Sequence, residues 1–182
     1  RARAQQEMTT LERLALAVDW LEAQIRALDV EIHTGIGVTI ERVLHEAPDA
    51  VIVAVGGFPG CQAGVRFHET APVVNPRQVM SGEVPAAPGR VVVLDTLGDS
   101  VGMSVAEWLA ERGWQVEIVT RDMFVGQRLT ASLELTAWNQ RATARGIVFR
   151  PQFDTLEVTT RGVIGMDRFD PQREIHLDDI DL

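Results

Sequence analysis

A chain of 182 residues, 46% hydrophobic and 24% charged, is ordinary for a globular protein long enough to bury a core. Its formal charge of -9 argues against a nucleic-acid partner, because a phosphate backbone needs clustered Lys and Arg. One cysteine, Cys61, excludes an internal disulfide, a zinc knuckle or an iron–sulfur cluster held by this chain alone, and fits a reducing cytoplasm.

No apolar run reaches the about 18 residues that a membrane span needs. The opening "RARAQQEMTT" has no initiator Met and no apolar signal core, so the chain is expected to be cut from something longer. The first element is a helix, "TTLERLALAVDWLEAQIRALDV". Leu11, Leu14, Val18, Leu21, Ile25 and Leu28 alternate in steps of three and four and lay one apolar stripe, expected to pack on a sheet. Thr9 and Glu12 match a capping box. "VEIHTG" then reads as a short strand. "DAVIVAVGGFPG" reads as a buried one, because Val51 to Val55 are continuously apolar and Gly56-Gly57 and Pro59-Gly60 end the run. "APVVNPRQVMSGEVPAAPGR" is a connection rich in turn chemistry.

The second half has a β-α-β-α-β order, which predicts right-handed crossovers and a parallel sheet. "RVVVLD" is a strand, followed by a helix from about Gly102 to Arg112 that stops at Gly113. "WQVEIVT" is the next strand, "ASLELTAWNQRATARG" the second helix and "IVFR" the third strand. The remainder, from Phe153 on, alternates like antiparallel strands with turns near Arg161-Gly162 and Asp170-Pro171. The fold class is therefore α/β, a Rossmann-like parallel sheet with flanking helices.

The loop between the first of these strands and its helix, "LDTLGDSVGMS", sits where such a fold binds pyrophosphate on free helix amides. Counted from the strand end, the three fingerprint glycines fall on Asp95, Leu97 and Ser100, and all three fail. Counted from the helix, Gly102 matches the third glycine, which leaves the loop about two residues too long. The candidate cofactor contacts are Gly98, Gly102, Met103 and Ser104, the last a helix N-terminal hydroxyl like Ser100. Two carboxylates beside a pyrophosphate repel it, unless a bridging cation intervenes, and each contact costs on the order of 1 kcal/mol near a surface. Bound NAD(P) is accordingly doubtful. After the next strand, Arg121 could meet a 2′-phosphate and Asp122 a ribose, or both are plain strand-end polar residues.

Other residues carry weaker readings. His33, His45, His68 and His176 lack metal-ligand spacing, and no metal site is expected. Ser104 is not in a nucleophile elbow, and Glu107 reads as a surface helix glutamate. Trp20, Trp108, Trp114 and Trp138 are expected to pack where helices meet sheet. No catalytic residue is assigned.

"VDWLEAQIRALDVEIHTG", "DAVIVAVGGFPG", "GMSVAEWLAERGWQVEIVT" and "RLTASLELTAWNQRATARGIVF" resemble, in order, the C-terminal nucleotide-binding region of the multidomain NADH:flavin oxidoreductases, of the trimethylamine dehydrogenase and 2,4-dienoyl-CoA reductase type. The resemblance implies a parent with an FMN barrel, a 4Fe-4S segment and two glutathione-reductase-like domains. The first of these domains binds FAD or ADP, and the second, NAD(P)-like, is inserted into it. Residues 1–72 would then belong to the FAD/ADP domain, 73–150 to the inserted domain and 151–182 to a β-rich return. "AVGGFP" resembles the family's "ATGG" strand end, with Val55 in place of threonine, and makes Gly56 and Gly57 candidates for lining the adenine-nucleotide site; a plain strand-ending turn stays open beside this. The family's first glycine fingerprint, acidic ribose ligand and cluster cysteines are missing here. The partners implied are the remaining domains of the parent, and self-association stays open. Two alternatives stand beside this reading: a catalytically silent docking module, and a working NADPH domain using Arg121.

Overall fold

The computed structural model describes residues 10–57, 60 and 62–182, the side chains of 10–14 aside. Two compact units emerge, Arg1–Pro59 and Gly60–Leu182.

In the first unit α1 spans Thr10–Ala27 and α2 spans Ile40–Glu46. The expected capping box involves Thr9 and lies outside the described residues, as does Cys61. The apolar stripe of α1 is not packed: Val18, Leu21, Ile25 and Leu28 are all exposed. The short helix α2, which the sequence pattern did not announce, starts at Thr39, whose hydroxyl accepts the Arg42 N–H at 3.3 Å. Neither expected strand forms. Residues 30–35 hold no strand, and residues 51–55 hold none either, with Ile52 92% exposed. The physical reason is plain: a run that is apolar on both faces is stable as a strand only between neighbours that take up its backbone groups, and no described residue pairs with it.

The second unit holds the core. Three parallel strands, β2 (Arg90–Asp95), β3 (Gln115–Thr120) and β4 (Val148–Arg150), lie in the order β2-β3-β4. Between them run α4 (Ser100–Glu111) and α5 (Leu135–Ala144), as the β-α-β-α-β pattern predicts, with a 3-10 turn at Gln127–Thr130 before α5. Upstream lie the two-residue strand β1 (Arg66–Phe67) and α3 (Pro76–Met80), the latter closed by a capping box between Asn75 and Gln78. Gly113 ends the α4 turn at φ 88, a conformation that a side chain would strain.

One face of the parallel sheet carries Val91, Val116 and Ile118, which pack with Met103, Ala106 and Leu109 of α4 and Trp138 and Ala142 of α5. Trp138 stacks on Phe149 at 5.2 Å between ring centroids, a pair worth about 1 kcal/mol beyond its buried area. The tryptophan expectation holds for Trp114 and Trp138, which are buried, and fails for Trp20, which is exposed. On the other face Val119, with Val92 and Leu94, meets Phe153, Val163 and Leu177. These last come from the meander β5 (Phe153–Val158), β6 (Gly162–Asp167) and β7 (Glu174–Asp178), antiparallel as expected, with β1 added parallel to β5. The chain then returns beside β2, where the Val92 N–H donates to the Leu182 carbonyl at 3.0 Å. The second unit is thus three layers, helices, parallel sheet and antiparallel meander.

Candidate functional site

The loop at the C-terminal end of β2 is where an open α/β sheet places ligands. Asp95 ends the strand and is 4% exposed. Its Oδ1 accepts the N–H of Leu97 at 3.2 Å and of Gly98 at 3.0 Å. Those are loop amides of the kind a phosphate oxygen would use. Its Oδ2 is buried and has no hydrogen-bond partner among the described residues. Burial pushes this carboxyl above the ordinary aspartate range, the Gly98 and Leu97 amides oppose that, and the nearby Asp99 and Asp122 carboxylates add to it.

Asp99 caps α4, accepting the Val101 N–H at 2.9 Å. Gly102 backs directly onto Asp95: a Cβ there would stand 3.0 Å from Asp95 Oδ1. Gly98 has φ 64, and a side chain on it would run into the Asp122 carboxylate. The Gly98 carbonyl accepts the Arg128 N–H at 2.9 Å, which ties the loop to the 3-10 turn. Gly98, Gly102, Met103 and Ser104 are therefore brought together, but not around an open cavity. Met103 is a core residue lying beneath Gly126, and Ser104 is buried. Arg121 pairs with Asp154 at 3.0 Å, its side chain 56% exposed, and its carbonyl accepts from Arg168 at 2.5 Å. Residues Leu94, Asp95, Thr120, Arg121 and Phe153 border only a void of about 10 Å³.

Gly56 and Gly57 belong to the first unit. Gly56 takes φ 69, and a Cβ on either would meet nothing within 4 Å among the described residues.

A cleft of about 300 Å³ opens at the opposite, N-terminal end of the sheet, bordered by Arg90, Trp114, Glu117 and Arg145. Its charged groups are already engaged: Arg90 donates to the Asp178 carbonyl, Arg145 to Glu111, and Glu117 accepts from Arg150. No group of three or more metal-ligating side chains occurs among the described residues, and no described helix is long and apolar enough to cross a membrane.

Glu107 corrects the surface reading. It is 1% exposed, and Arg141 donates to it from Nε at 2.6 Å and from Nη2 at 3.1 Å, with Arg145 at 3.5 Å. It joins α4 to α5. What sequence reasoning missed at the loop is that Asp95 takes up the amides rather than merely repelling a guest. A strand-end aspartate followed three residues later by glycine was the available signal, since aspartate side chains commonly accept amides two or three residues ahead.

No family model matches the chain. Among curated relatives, a probable N-methylproline demethylase from Rhizobium meliloti is 37% identical over 106 residues, covering 58% of this chain and 15% of that protein. An NADH oxidase from Thermoanaerobacter brockii is 30% identical over 149 residues, 80% of this chain and 22% of its own. Among solved structures, histamine dehydrogenase from Rhizobium sp. 4-9 superposes with a TM-score of 0.82 at 22% identity, over 98% of this chain and 29% of that one. A 6-hydroxypseudooxynicotine amine oxidase from Pseudomonas geniculata N1 gives 0.75 at 22% identity, over 90% and 25%. The chain thus spans 15% and 22% of the lengths of these two curated relatives. The resemblance to the NADH:flavin oxidoreductase group is borne out, and so is the α/β Rossmann-like fold.

Proposed function

We propose that this chain is a nucleotide-domain segment of a larger flavin- and iron–sulfur-dependent oxidoreductase, and that its NAD(P)-type loop is degenerate. The observation that carries the second clause is the Asp95 carboxylate seated on the Leu97 and Gly98 amides. A dinucleotide pyrophosphate needs those amides free and the backbone approachable; here a buried negative group holds them, with Asp99 and Asp122 nearby. The residues present do not fit NAD(P), and no hydride step is assigned to this chain.

Relatives named for demethylating N-methylproline and for oxidising dimethylglycine or sarcosine support an amine-oxidising parent, while the NADH oxidase supports hydride exchange. In either parent FMN and a 4Fe-4S cluster would lie in other domains, and FAD or ADP would sit at the domain to which residues 1–72 contribute. Gly56 and Gly57 are the residues of this chain that would border it. The long, fully apolar exposed run at 51–55 supports this reading, because it has the composition of a central strand awaiting neighbours. Residues 73–150 would form the inserted domain and 151–182 the stretch leading back.

Calorimetry of the chain with ADP, NADH and NADPH tests the loop. No heat with NADH or NADPH is expected. Saturable NADPH binding that Arg121→Ala abolishes would replace this reading with a working NADPH domain. The parent is tested by the coding sequence upstream of Arg1, where a barrel-length region ending in closely spaced cysteines is required.

A further inference from the structure

The charged groups of the cleft and of the Glu107 cluster are paired; one oxygen of the Asp95 carboxylate is not. It combines three observations rarely found in one side chain. It is almost wholly buried. One oxygen accepts two consecutive loop amides. The other oxygen is buried and has no hydrogen-bond partner among the described residues.

We infer that Asp95 is the internal occupant of a phosphate-type anion cradle, so that its side chain, by filling the cradle, is the determinant that keeps inorganic phosphate and nucleotide phosphates out. This rests on the reading of the loop as degenerate and goes further, because it names one residue as the cause and distinguishes occupation from simple repulsion.

The backbone around Asp95 keeps the turn and the close approach that such a cradle needs. Gly98 holds the left-handed conformation that turns its N–H inward, and it is anchored through its carbonyl to Arg128. Gly102 provides the bare backbone that lets the first turn of α4 approach the strand end as closely as it does. Asp99 caps Val101 alone. A carboxylate oxygen and a phosphate oxygen make similar demands on amide donors, so the loop satisfies its donors with a group tethered to the chain. A tethered group faces its donors at a high effective concentration, which a free anion cannot match.

The occupant model separates two substitutions that repulsion alone would treat alike. Asp95→Asn removes the charge but leaves a carbonyl oxygen in place for the two amides. Asp95→Gly removes the occupant. With inorganic phosphate as the probe and backbone amide NMR as the readout, Asp95→Gly should show saturable shifts at Leu97 and Gly98, with phosphate bound about tenfold or more tighter than by wild type or Asp95→Asn. Equal gain in Asp95→Asn and Asp95→Gly would overturn occupation in favour of charge. A folded Asp95→Gly chain without such shifts would overturn the cradle, while leaving the degenerate reading standing. Saturable shifts in wild type would overturn both. If Asp95→Gly does not fold, the wild type still decides: the Gly98 amide nitrogen should show a scalar coupling across the hydrogen bond to the Asp95 carboxyl carbon, and its absence would refute the assignment.

Discussion

Removing Arg141 should weaken the protein more than removing the charge it neutralises, and the reason lies in unequal burial. Glu107 is 1% exposed, whereas the Arg141 and Arg145 side chains keep 25% and 29% of their surface in water. Arg141→Met leaves a carboxylate inside the α4–α5 interface with only Arg145 at 3.5 Å to offset it. Orphaning one member of a buried pair costs about 3–5 kcal/mol. Glu107→Gln instead leaves two guanidinium groups that already reach solvent, so about 1–3 kcal/mol is expected, the lower figure reflecting their hydration. The hydrogen bond to this carboxylate also holds the Arg141 guanidinium above its ordinary pKa. Replacing both residues together with Leu and Met should recover most of the loss, since a packed apolar pair avoids desolvation altogether. Urea unfolding of the four proteins, read by tryptophan fluorescence, measures this against a total stability that is typically about 5–15 kcal/mol. If Arg141→Met costs under about 1 kcal/mol, or less than Glu107→Gln, the buried-carboxylate argument is wrong.

Other expectations follow from the same contacts. Because burial raises the folded-state pKa of Asp95, the native protein holds that proton longer than the unfolded chain does. The contribution is greatest below the unfolded pKa and is lost as pH rises through the interval up to the folded one; Asp95→Asn should therefore gain on wild type between acid and neutral pH, and a pH-independent difference in unfolding midpoint would contradict this. Gly102→Ala would ordinarily favour a helix by up to about 1 kcal/mol, but Asp95 is pinned by two amides and cannot yield, so a net loss in thermal stability is expected. Gly165→Ala drives a methyl into the Phe153 ring and the Asp154 carbonyl and should cost about 1–3 kcal/mol in chemical denaturation. Arg121→Ala removes a half-exposed pair with Asp154 and should change stability by under about 1 kcal/mol, with no effect on nucleotide heats.

The parts of the fold that were legible in the sequence are those whose partners lie close along the chain. β2, α4 and β3 form one β-α-β unit in which the apolar run, the helical period and the Gly113 stop all agree. The run at 51–55 misled for the converse reason: its composition encodes burial on both sides, and that burial depends on strands absent from the described residues. Glu107 was misread because its partners Arg141 and Arg145 lie more than thirty residues away on another helix. In "LDTLGDS" Asp95, Leu97 and Ser100 all announce a departure from a nucleotide loop, yet the charge of Asp95 alone could not say which amides it would take. That depends on Gly98 folding back at positive φ, which the glycine permits but does not by itself dictate.

The most direct test is a crystal of the chain soaked in NADPH. Asp95 should rest on the amides of Leu97 and Gly98 with no dinucleotide phosphate beside them. Phosphate density against the amides from Gly98 to Gly102, with the Asp95 carboxylate turned aside, would contradict it.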